Sequence, residues 1–187
     1  MTLTRDQRLP AWSAVTPGRL AHIERVAALV EEWARRMGVP DSDRSRWLRA
    51  TWLHDALRDA PPATLARWAP DAVVPAELRH GPASAACAEA QGEHDRAVLD
   101  AVRYHSVGHA GWEIPGRVLY CADYLEPGRP FDRERRRELA ERFPDDPAGV
   151  LAAVAADRIA YTVRSGWPLL QPTVDLWNSL AVASGSR

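Results

Sequence analysis

The sequence predicts an all-α fold of one domain with about eight helices. Two observations predict it. Apolar residues recur at spacings of three and four in several stretches, and Pro and Gly residues that end helices separate these stretches. No stretch alternates apolar and polar residues over the length of a strand. The chain has 187 residues, a length that suits one domain with a substantial core.

The first two predicted helices have recognisable starts. Thr16-Pro17 reads as an N-cap followed by proline at the first helical position, and this helix runs to Gly38. Asp41 or Ser42 is the predicted cap of a second helix, which carries the pair His54-Asp55 near its end. We therefore expect both members of that pair to project from helical backbone.

Pro and Gly divide the rest of the chain in the same way. Pro61-Pro62 starts a short third helix, and the run from Glu126 to Pro130 must be a loop. The Arg- and Glu-rich run from Asp132 to Arg142 is interpreted as a solvated helix face. Later helices are predicted at about residues 83–90, 94–106, 115–124, 132–142, 147–166 and from 173 onward. The inward face of the helix from residue 147 is predicted to hold Val150, Leu151, Val154, Ile159 and Val163.

Composition excludes several classes of protein. The formal net charge is −1, which gives no support to binding of nucleic acid or anionic membranes. Cys87 and Cys121 fit no metal-binding spacing and are interpreted as buried thiols of a reducing cytosol. We find no signal peptide and no membrane span, so a cytoplasmic protein is expected. Residues 1–15 form a predicted N-terminal arm before a domain over residues 16–187.

Four histidines and two aspartates fall on faces that helical spacing would bury. A lone histidine is usually a surface or satisfied core residue, and separate ion pairs would explain the pattern without a metal. Buried acids nevertheless require a partner, because desolvating an isolated charge is costly. The set therefore favours a centre for two divalent ions, which commonly hydrolyses phosphate esters and anhydrides. The six candidate ligands are His22, His54, Asp55, His80, His105 and Asp123.

Two segments carry a resemblance to a known family. Residues 53–59, Leu-His-Asp-Ala-Leu-Arg-Asp, resemble the central motif of the HD-domain superfamily of metal-dependent phosphohydrolases. Residues 122–129, Ala-Asp-Tyr-Leu-Glu-Pro-Gly-Arg, resemble the more specific signature of the YqeK-type symmetrical bis(5′-nucleosyl)-tetraphosphatases. The resemblance covers roughly residues 17–182. Smaller matches are Arg19 before His22, His80-Gly81, His105 followed by Gly108, and Thr173 with Asn178.

The resemblance implies a helical bundle around two metals, with iron favoured, that hydrolyses diadenosine tetraphosphate to two ADP. Imidazole and carboxylate ligands also suit Mn, Co, Ni or Zn. Consecutive helical residues point about 100° apart, so we assign His54 to one ion and Asp55 to a bridge between both. His22 and Asp123 would complete the first ion, and His80 and His105 the second.

Further residues receive roles around this centre. Asp59 is expected to hold a ligand histidine or the nucleophilic water, and Arg58 and Arg129 to neutralise the polyphosphate. Arg129 could instead pair with Glu126 or the following helix, and Arg19 with an acid such as Glu24. The predicted substrate contacts are Arg19, Arg58, Ser106, Gly108 and Arg129.

Two positions depart from the family pattern. Arg58 stands where the family usually has Lys, which keeps the charge but changes its geometry. Ser106-Val107 replaces the usual Thr-Thr, so Val107 lacks the second hydroxyl.

Alternative functions are another HD-domain phosphohydrolase, either a nucleoside 5′-monophosphatase or a cyclic-nucleotide phosphodiesterase, and a non-catalytic nucleotide-binding regulator. His94 and His109 are interpreted as surface residues, and the sequence leaves a homodimer open.

Overall fold

In the computed structural model, which describes residues 9–185, every regular element is helical. The all-α prediction is confirmed. A 3-10 turn, Ala76–Leu78, precedes the fourth α-helix. The α-helices of the described residues are α1 Pro17–Arg36, α2 Asp41–Leu53, α3 Pro62–Trp68, α4 His80–Ala90, α5 Arg96–Tyr104, α6 Ile114–Leu125, α7 Arg133–Arg142, α8 Pro147–Arg164 and α9 Gln171–Gly185.

Side-chain caps fix the starts of several helices. The hydroxyl of Thr16 accepts a hydrogen bond from the backbone N–H of Arg19 at 3.3 Å, which confirms the predicted start of α1. The prediction for α2 was wrong, because neither Asp41 nor Ser42 is its N-cap. Pro40 is the cap residue and Asp41 is already helical, so its carboxylate lies in the first turn, where the helix dipole favours negative charge.

The main core surrounds α6, which contacts α1, α2, α5, α7 and α8. Leu119 and Cys121 are almost fully buried in it, as are Val26 of α1 and Val98 of α5. Near the C-terminal end of α1, Trp33 stacks on Phe143 with ring centroids 3.9 Å apart. The indole N–H of Trp33 also donates to the carbonyl of Ala140 at 2.9 Å, so α1 is tied to α7. α1 is thereby held against both α6 and α7.

Two predictions about helix faces were wrong. Val163 is 58% exposed because the buried face of α8 ends about two turns earlier, at Ala155, and Ile159 between them is only partly buried. The Asp132–Arg142 run is also not a uniformly solvated face, since Arg136 is buried. Its guanidinium donates to the carbonyl of Tyr124, in the last turn of α6, and to the carbonyl of Glu126, the residue that follows the helix. Arg136 therefore caps the end of α6.

Four of the candidate ligands lie at helix ends. α2 ends at Leu53, so His54 and Asp55 form the turn after it, whereas we predicted them within the helix. α4 begins at His80, three residues earlier than predicted, and α5 ends just before His105. These boundaries place short, sharply turned backbone segments around one point. Residues 1–8 of the predicted arm lie outside the described residues, while Ala14 pairs with Ala56 through a 2.7 Å backbone hydrogen bond.

Candidate metal centre

The structure brings all six candidate ligands together in the interior. His22 projects from α1 and Asp123 from α6, whereas the other four come from the helix ends described above. All six are buried, with exposures between 0% and 7%. Neighbouring imidazole rings lie 5.0 Å apart for His54 and His105 and 5.6 Å apart for His22 and His54. Two overlapping sets of three side chains each have the spacing needed to bind a metal ion.

The two carboxylate oxygens of Asp55 face different pairs of histidines. Oδ1 lies 3.2 Å from Nε2 of His80 and 3.5 Å from Nε2 of His105. Oδ2 lies 3.5 Å from Nε2 of His54 and 3.7 Å from Nε2 of His22. This division is what a carboxylate bridging two ions requires. Asp123 Oδ1 lies 3.2 Å from Nε2 of His22 and therefore belongs with the second pair.

Backbone carbonyls orient three of the four imidazoles. Each of these rings has Nδ1 within hydrogen-bond distance of the carbonyl of the residue three positions earlier, as the end of a helical segment allows. The contacts are His54 to Thr51 at 2.6 Å, His80 to Glu77 at 3.0 Å and His105 to Val102 at 2.8 Å. With Nδ1–H as the donor, Nε2 keeps its lone pair toward Asp55, the arrangement typical of metal-bound histidine.

Two buried ring nitrogens at the centre lack the partners that an ordinary core histidine has. Within the described residues, Nε2 of His54 has no hydrogen-bond partner, and Nε2 of His22 approaches Asp123 Oδ1 at 3.2 Å without hydrogen-bond geometry. Leaving a buried polar atom unpaired costs about 1–3 kcal/mol. A cation at this point would satisfy both atoms, so the donor set fits a divalent metal pair.

The protonation states of His54 and Asp55 also favour a metal centre. Burial lowers the pKa of His54 to about 4, so its ring is neutral at physiological pH. Burial raises the pKa of the Asp55 carboxyl, but the surrounding imidazoles of His54, His105 and His80 outweigh that effect and hold it well below its usual range. Neutral imidazole and ionised carboxylate are the forms that bind metal ions.

A side-chain carboxylate, rather than a carbonyl, orients His22. Glu126 Oε1 lies 3.1 Å from Nδ1 of His22, and Glu126 is only 1% exposed. Its Oε2 accepts from Nε of Arg25 at 2.6 Å and from the backbone N–H of Gly128 at 2.7 Å. Burial raises the pKa of Glu126, but the hydrogen bonds from His22 and Arg25 outweigh this and lower it to about 2. The sequence suggested Glu126 only as a partner of Arg129.

Three arginines contact the ligand carboxylates. Nη1 of Arg19 lies 2.7 Å from Asp55 Oδ2, and Nη2 of Arg129 lies 2.6 Å from Asp123 Oδ1. Both guanidiniums are partly exposed and line an open cleft of about 350 Å³ between the start of α1 and the loop after α6. The third, Arg158 of α8, reaches Asp123 Oδ2 at 2.9 Å from inside the protein. No role was predicted for Arg158 from the sequence, although it follows buried Val154 by one helical turn.

The predicted residues Ser106, Arg58 and Gly108 lie at different places relative to the metal centre. Ser106 lies at the centre, with Oγ 3.0 Å from Nε2 of His105. Arg58 donates to the Glu77 carbonyl at 2.6 Å, the same oxygen that His80 contacts. Gly108 is buried under Leu176, and its φ of 90° is one that glycine readily adopts.

Asp59 contacts Thr16 rather than a ligand histidine. Its Oδ2 accepts from the backbone N–H of Thr16 at 2.7 Å and from the hydroxyl at 2.8 Å. In the structure Asp59 therefore ties the start of α1 to the turn that follows the His54-Asp55 pair.

Comparisons with known proteins agree with this architecture. The family model described as HD domain matches residues 19–128. A relative from Bacillus subtilis, named symmetrical bis(5′-nucleosyl)-tetraphosphatase, is 28% identical over 91% of this chain and 93% of its own length. A relative of the same name from Staphylococcus aureus is 41% identical over 54 residues, 28% of either chain.

A solved structure gives the same fold. It is described as a predicted HD superfamily hydrolase involved in NAD metabolism from Clostridium acetobutylicum, and it superimposes with a TM-score of 0.77 at 23% identity. The match covers 90% of this chain and 92% of that one. Since the HD-domain model matches more than half of the sequence and all six of its candidate metal ligands converge, this chain belongs to the HD-domain family and is a hydrolase of that family.

Proposed function

We propose that this protein hydrolyses diadenosine tetraphosphate symmetrically, with one water, to two ADP. The observation that carries the proposal is the division of the Asp55 carboxylate between two pairs of imidazoles. That geometry supports two divalent ions, one beside His22, His54 and Asp123 and one beside His80 and His105. Iron is our choice of metal on the family resemblance, and Mn, Co, Ni and Zn suit the same ligands.

When bound, such a metal pair lowers the pKa of water and neutralises phosphoryl oxygens. The protein's own contribution is to fix the ligands. Each histidine that a backbone carbonyl orients can turn little, and Asp55 and Asp123 are held ionised by their neighbours. Ser106, next to His105, offers a hydroxyl at the centre that can donate to a phosphate oxygen or to water.

The cleft beside the centre suits a polyphosphate. Arg19 and Arg129 lie on its two walls, and each reaches a carboxylate of the centre from the solvent side. Guanidinium groups bind phosphate through two parallel hydrogen bonds, and this chain has no lysine for that purpose. Two arginines flanking the ions would hold the inner phosphates of a dinucleoside tetraphosphate across the centre. The relatives' names support this choice of substrate.

The products of diadenosine tetraphosphate turnover test the proposal. We expect ADP alone, with one atom of ¹⁸O per pair of ADP molecules when the reaction is run in H₂¹⁸O. Asp55→Asn protein and chelator-treated protein serve as controls, and both should be inactive. AMP plus ATP would refute symmetrical cleavage. Faster turnover of AMP or of a cyclic nucleotide would assign the centre to a different phosphohydrolase.

A further inference from the structure

We propose that Glu126 and Arg25 are positioning residues that govern one metal position of the centre, the one beside His22, and leave the other unaffected. This inference rests on the two-ion centre of the proposed function. It concerns selective control of occupancy, and it starts from an asymmetry in how the four imidazoles are oriented.

Backbone geometry holds three of the imidazoles, and a side chain holds the fourth. His54, His80 and His105 each use the carbonyl three residues earlier, which no substitution removes. His22 lies in mid-helix, where backbone carbonyls are already bonded within α1. Its Nδ1 therefore depends on the Glu126 carboxylate, 104 positions away in the chain. Among the four imidazoles, only His22 can lose its orienting partner through a change to one side chain.

Only a carboxylate satisfies the donors around residue 126. Oε1 faces Nδ1 of His22 and Nη2 of Arg25, at 3.1 and 3.3 Å. Oε2 faces Nε of Arg25 and the N–H of Gly128, at 2.6 and 2.7 Å. Every one of these partners is a donor once Nε2 of His22 is free to bind metal. A glutamine would set its NH₂ group against one side of that ring of donors, so at least one contact would become repulsive.

Arg25 holds Glu126 in place, because its guanidinium contacts both oxygens of the carboxylate and carries the opposite charge. It lies on α1 one turn after His22, so the helix that carries the ligand also carries the residue that fixes the ligand's partner. Gly128 closes the arrangement, since a Cβ there would collide with the Arg25 guanidinium. The loop after α6 therefore lies directly against that guanidinium. Contacts with Glu126 connect His22, Arg25 and Gly128.

The consequence is a centre in which loss of the Glu126 carboxylate affects the two metal positions differently. A carboxylate on Nδ1 fixes the tautomer of a histidine and strengthens it as a ligand, and its loss typically lowers metal affinity about 10–100-fold. Here that loss should fall on the ion beside His22, His54 and Asp123. The ion beside His80 and His105 should keep its affinity, because its orienting carbonyls are intact.

The test uses the full-length protein, stripped of metal with a chelator and titrated with Mn²⁺. Calorimetry measures the affinity of each equivalent, and electron paramagnetic resonance distinguishes an exchange-coupled ion pair from a single ion. For the unaltered protein we expect two equivalents and a coupled signal. For Glu126→Gln we expect one equivalent of unchanged affinity, a second about 10–100-fold weaker, and a single-ion signal at low Mn²⁺.

Three further variants define the effect, one of them a control and two of them substitutions of Arg25. Asp157→Asn removes a partly exposed carboxylate paired with Arg135, and it should leave both equivalents unchanged. Arg25→Met keeps Glu126 and should weaken the same single equivalent several-fold, while Arg25→Lys should restore part of that loss. If Glu126→Gln does not fold, the two variants Arg25→Met and Arg25→Lys test the proposal in its place.

Equal weakening of both equivalents, or a lower melting temperature with unchanged binding, would overturn the proposal and leave Glu126 a purely structural residue. Uptake of fewer than two equivalents by the unaltered protein would overturn both this inference and the two-ion centre. A protein that binds two ions and does not cleave diadenosine tetraphosphate would overturn the proposed function alone.

Discussion

Arg158 lies behind Asp123 and donates from Nη2 to its Oδ2 at 2.9 Å, on the side opposite the cleft. The same guanidinium stands over the ring of Tyr120, with Cζ 4.3 Å from the centroid. Asp123 therefore has one oxygen turned to the interior and the other turned to His22. Arg158 fixes which oxygen of Asp123 is available to a metal ion, and it compensates the charge of a carboxylate that is almost completely buried.

Removing that guanidinium should destabilise the protein strongly. Breaking a buried ion pair usually costs about 3–5 kcal/mol, and because Arg129 still contacts Asp123 we expect about 2–3 kcal/mol for Arg158→Met. Urea denaturation of the chelated protein measures it, and saturating Mn²⁺ should reduce the loss by neutralising Asp123. Arg135→Met breaks an exposed pair with Asp157 and should cost less than about 1 kcal/mol. Equal losses in the two variants would contradict the role given to Arg158.

Asp55 and Asp59 should separate metal binding from stability. We expect Asp55→Ala to lose at least one metal equivalent and nearly all activity while it keeps its helical circular dichroism, since the apolar core remains. Asp59→Ala should do the reverse, because it loses two hydrogen bonds from Thr16 and about 1–2 kcal/mol of stability but touches no imidazole. Elemental analysis and thermal denaturation of both variants test this. Full metal occupancy in Asp55→Ala would show that Asp55 is not a bridge.

The sequence was most informative where a residue lies within a helix and not just beyond its end. His22 precedes Val26 by one turn, and Asp123 follows Leu119 by one turn, so the helical period alone placed both on buried faces. The convergence of α1 and α6 then follows from packing of those faces. The all-α class was predictable for the same reason, since its helices are long enough to show their period.

The sequence was least informative at helix ends and for buried charges. His54 and His105 lie just beyond helices because their rings bond to nearby carbonyls, a local competition that periodicity does not reveal. Glu126 and Arg158 belong to residue types that usually lie on the surface. Their partners are 104 and 35 positions away, so no local pattern reveals which residues they contact.

The pair of Asp95 with Arg46 should make stability depend on pH. Asp95 is the N-cap of α5, the helix that leads to His105, and it accepts from Arg46 Nε at 2.7 Å. This hydrogen bond from Arg46 lowers the pKa of Asp95 below its usual value. A lowered folded-state pKa means that the contribution is complete above the unfolded value of about 3.9 and is lost as pH falls through the folded value.

Asp95→Asn isolates this contribution, because the amide oxygen can still cap α5 while the charge is absent. We expect the variant to be less stable than the unaltered protein by about 1 kcal/mol at pH 7 and by less at pH 3. Urea denaturation at both pH values measures the difference. Asp41→Asn, at the exposed start of α2, should change stability by no more than about 0.5 kcal/mol at pH 7. If the gap between Asp95→Asn and the unaltered protein widened at pH 3, the Asp95 carboxylate could not be the source of the pH dependence.

Arg129 tests how the cleft recognises its substrate. It lies six residues after Asp123, in a loop with prolines at 127 and 130, and its Nη2 rests on Asp123 Oδ1 while its Nε lies 3.7 Å from Glu126 Oε1. Since an ion beside His22 would take over the charge of Asp123, the guanidinium would be free to turn toward a phosphate in the cleft. Bidentate binding of phosphate is not reproduced by an ammonium group.

We therefore expect Arg129→Lys to raise the Michaelis constant for diadenosine tetraphosphate, or to lower its turnover, at least several-fold. Metal content and melting temperature should hardly change, because the lysine keeps a positive charge near Asp123. Steady-state kinetics at saturating metal, with melting curves on the same preparations, measure both. Near-normal kinetics would instead leave Arg129 with the salt bridge to Asp123 alone and would overturn its role in binding phosphate.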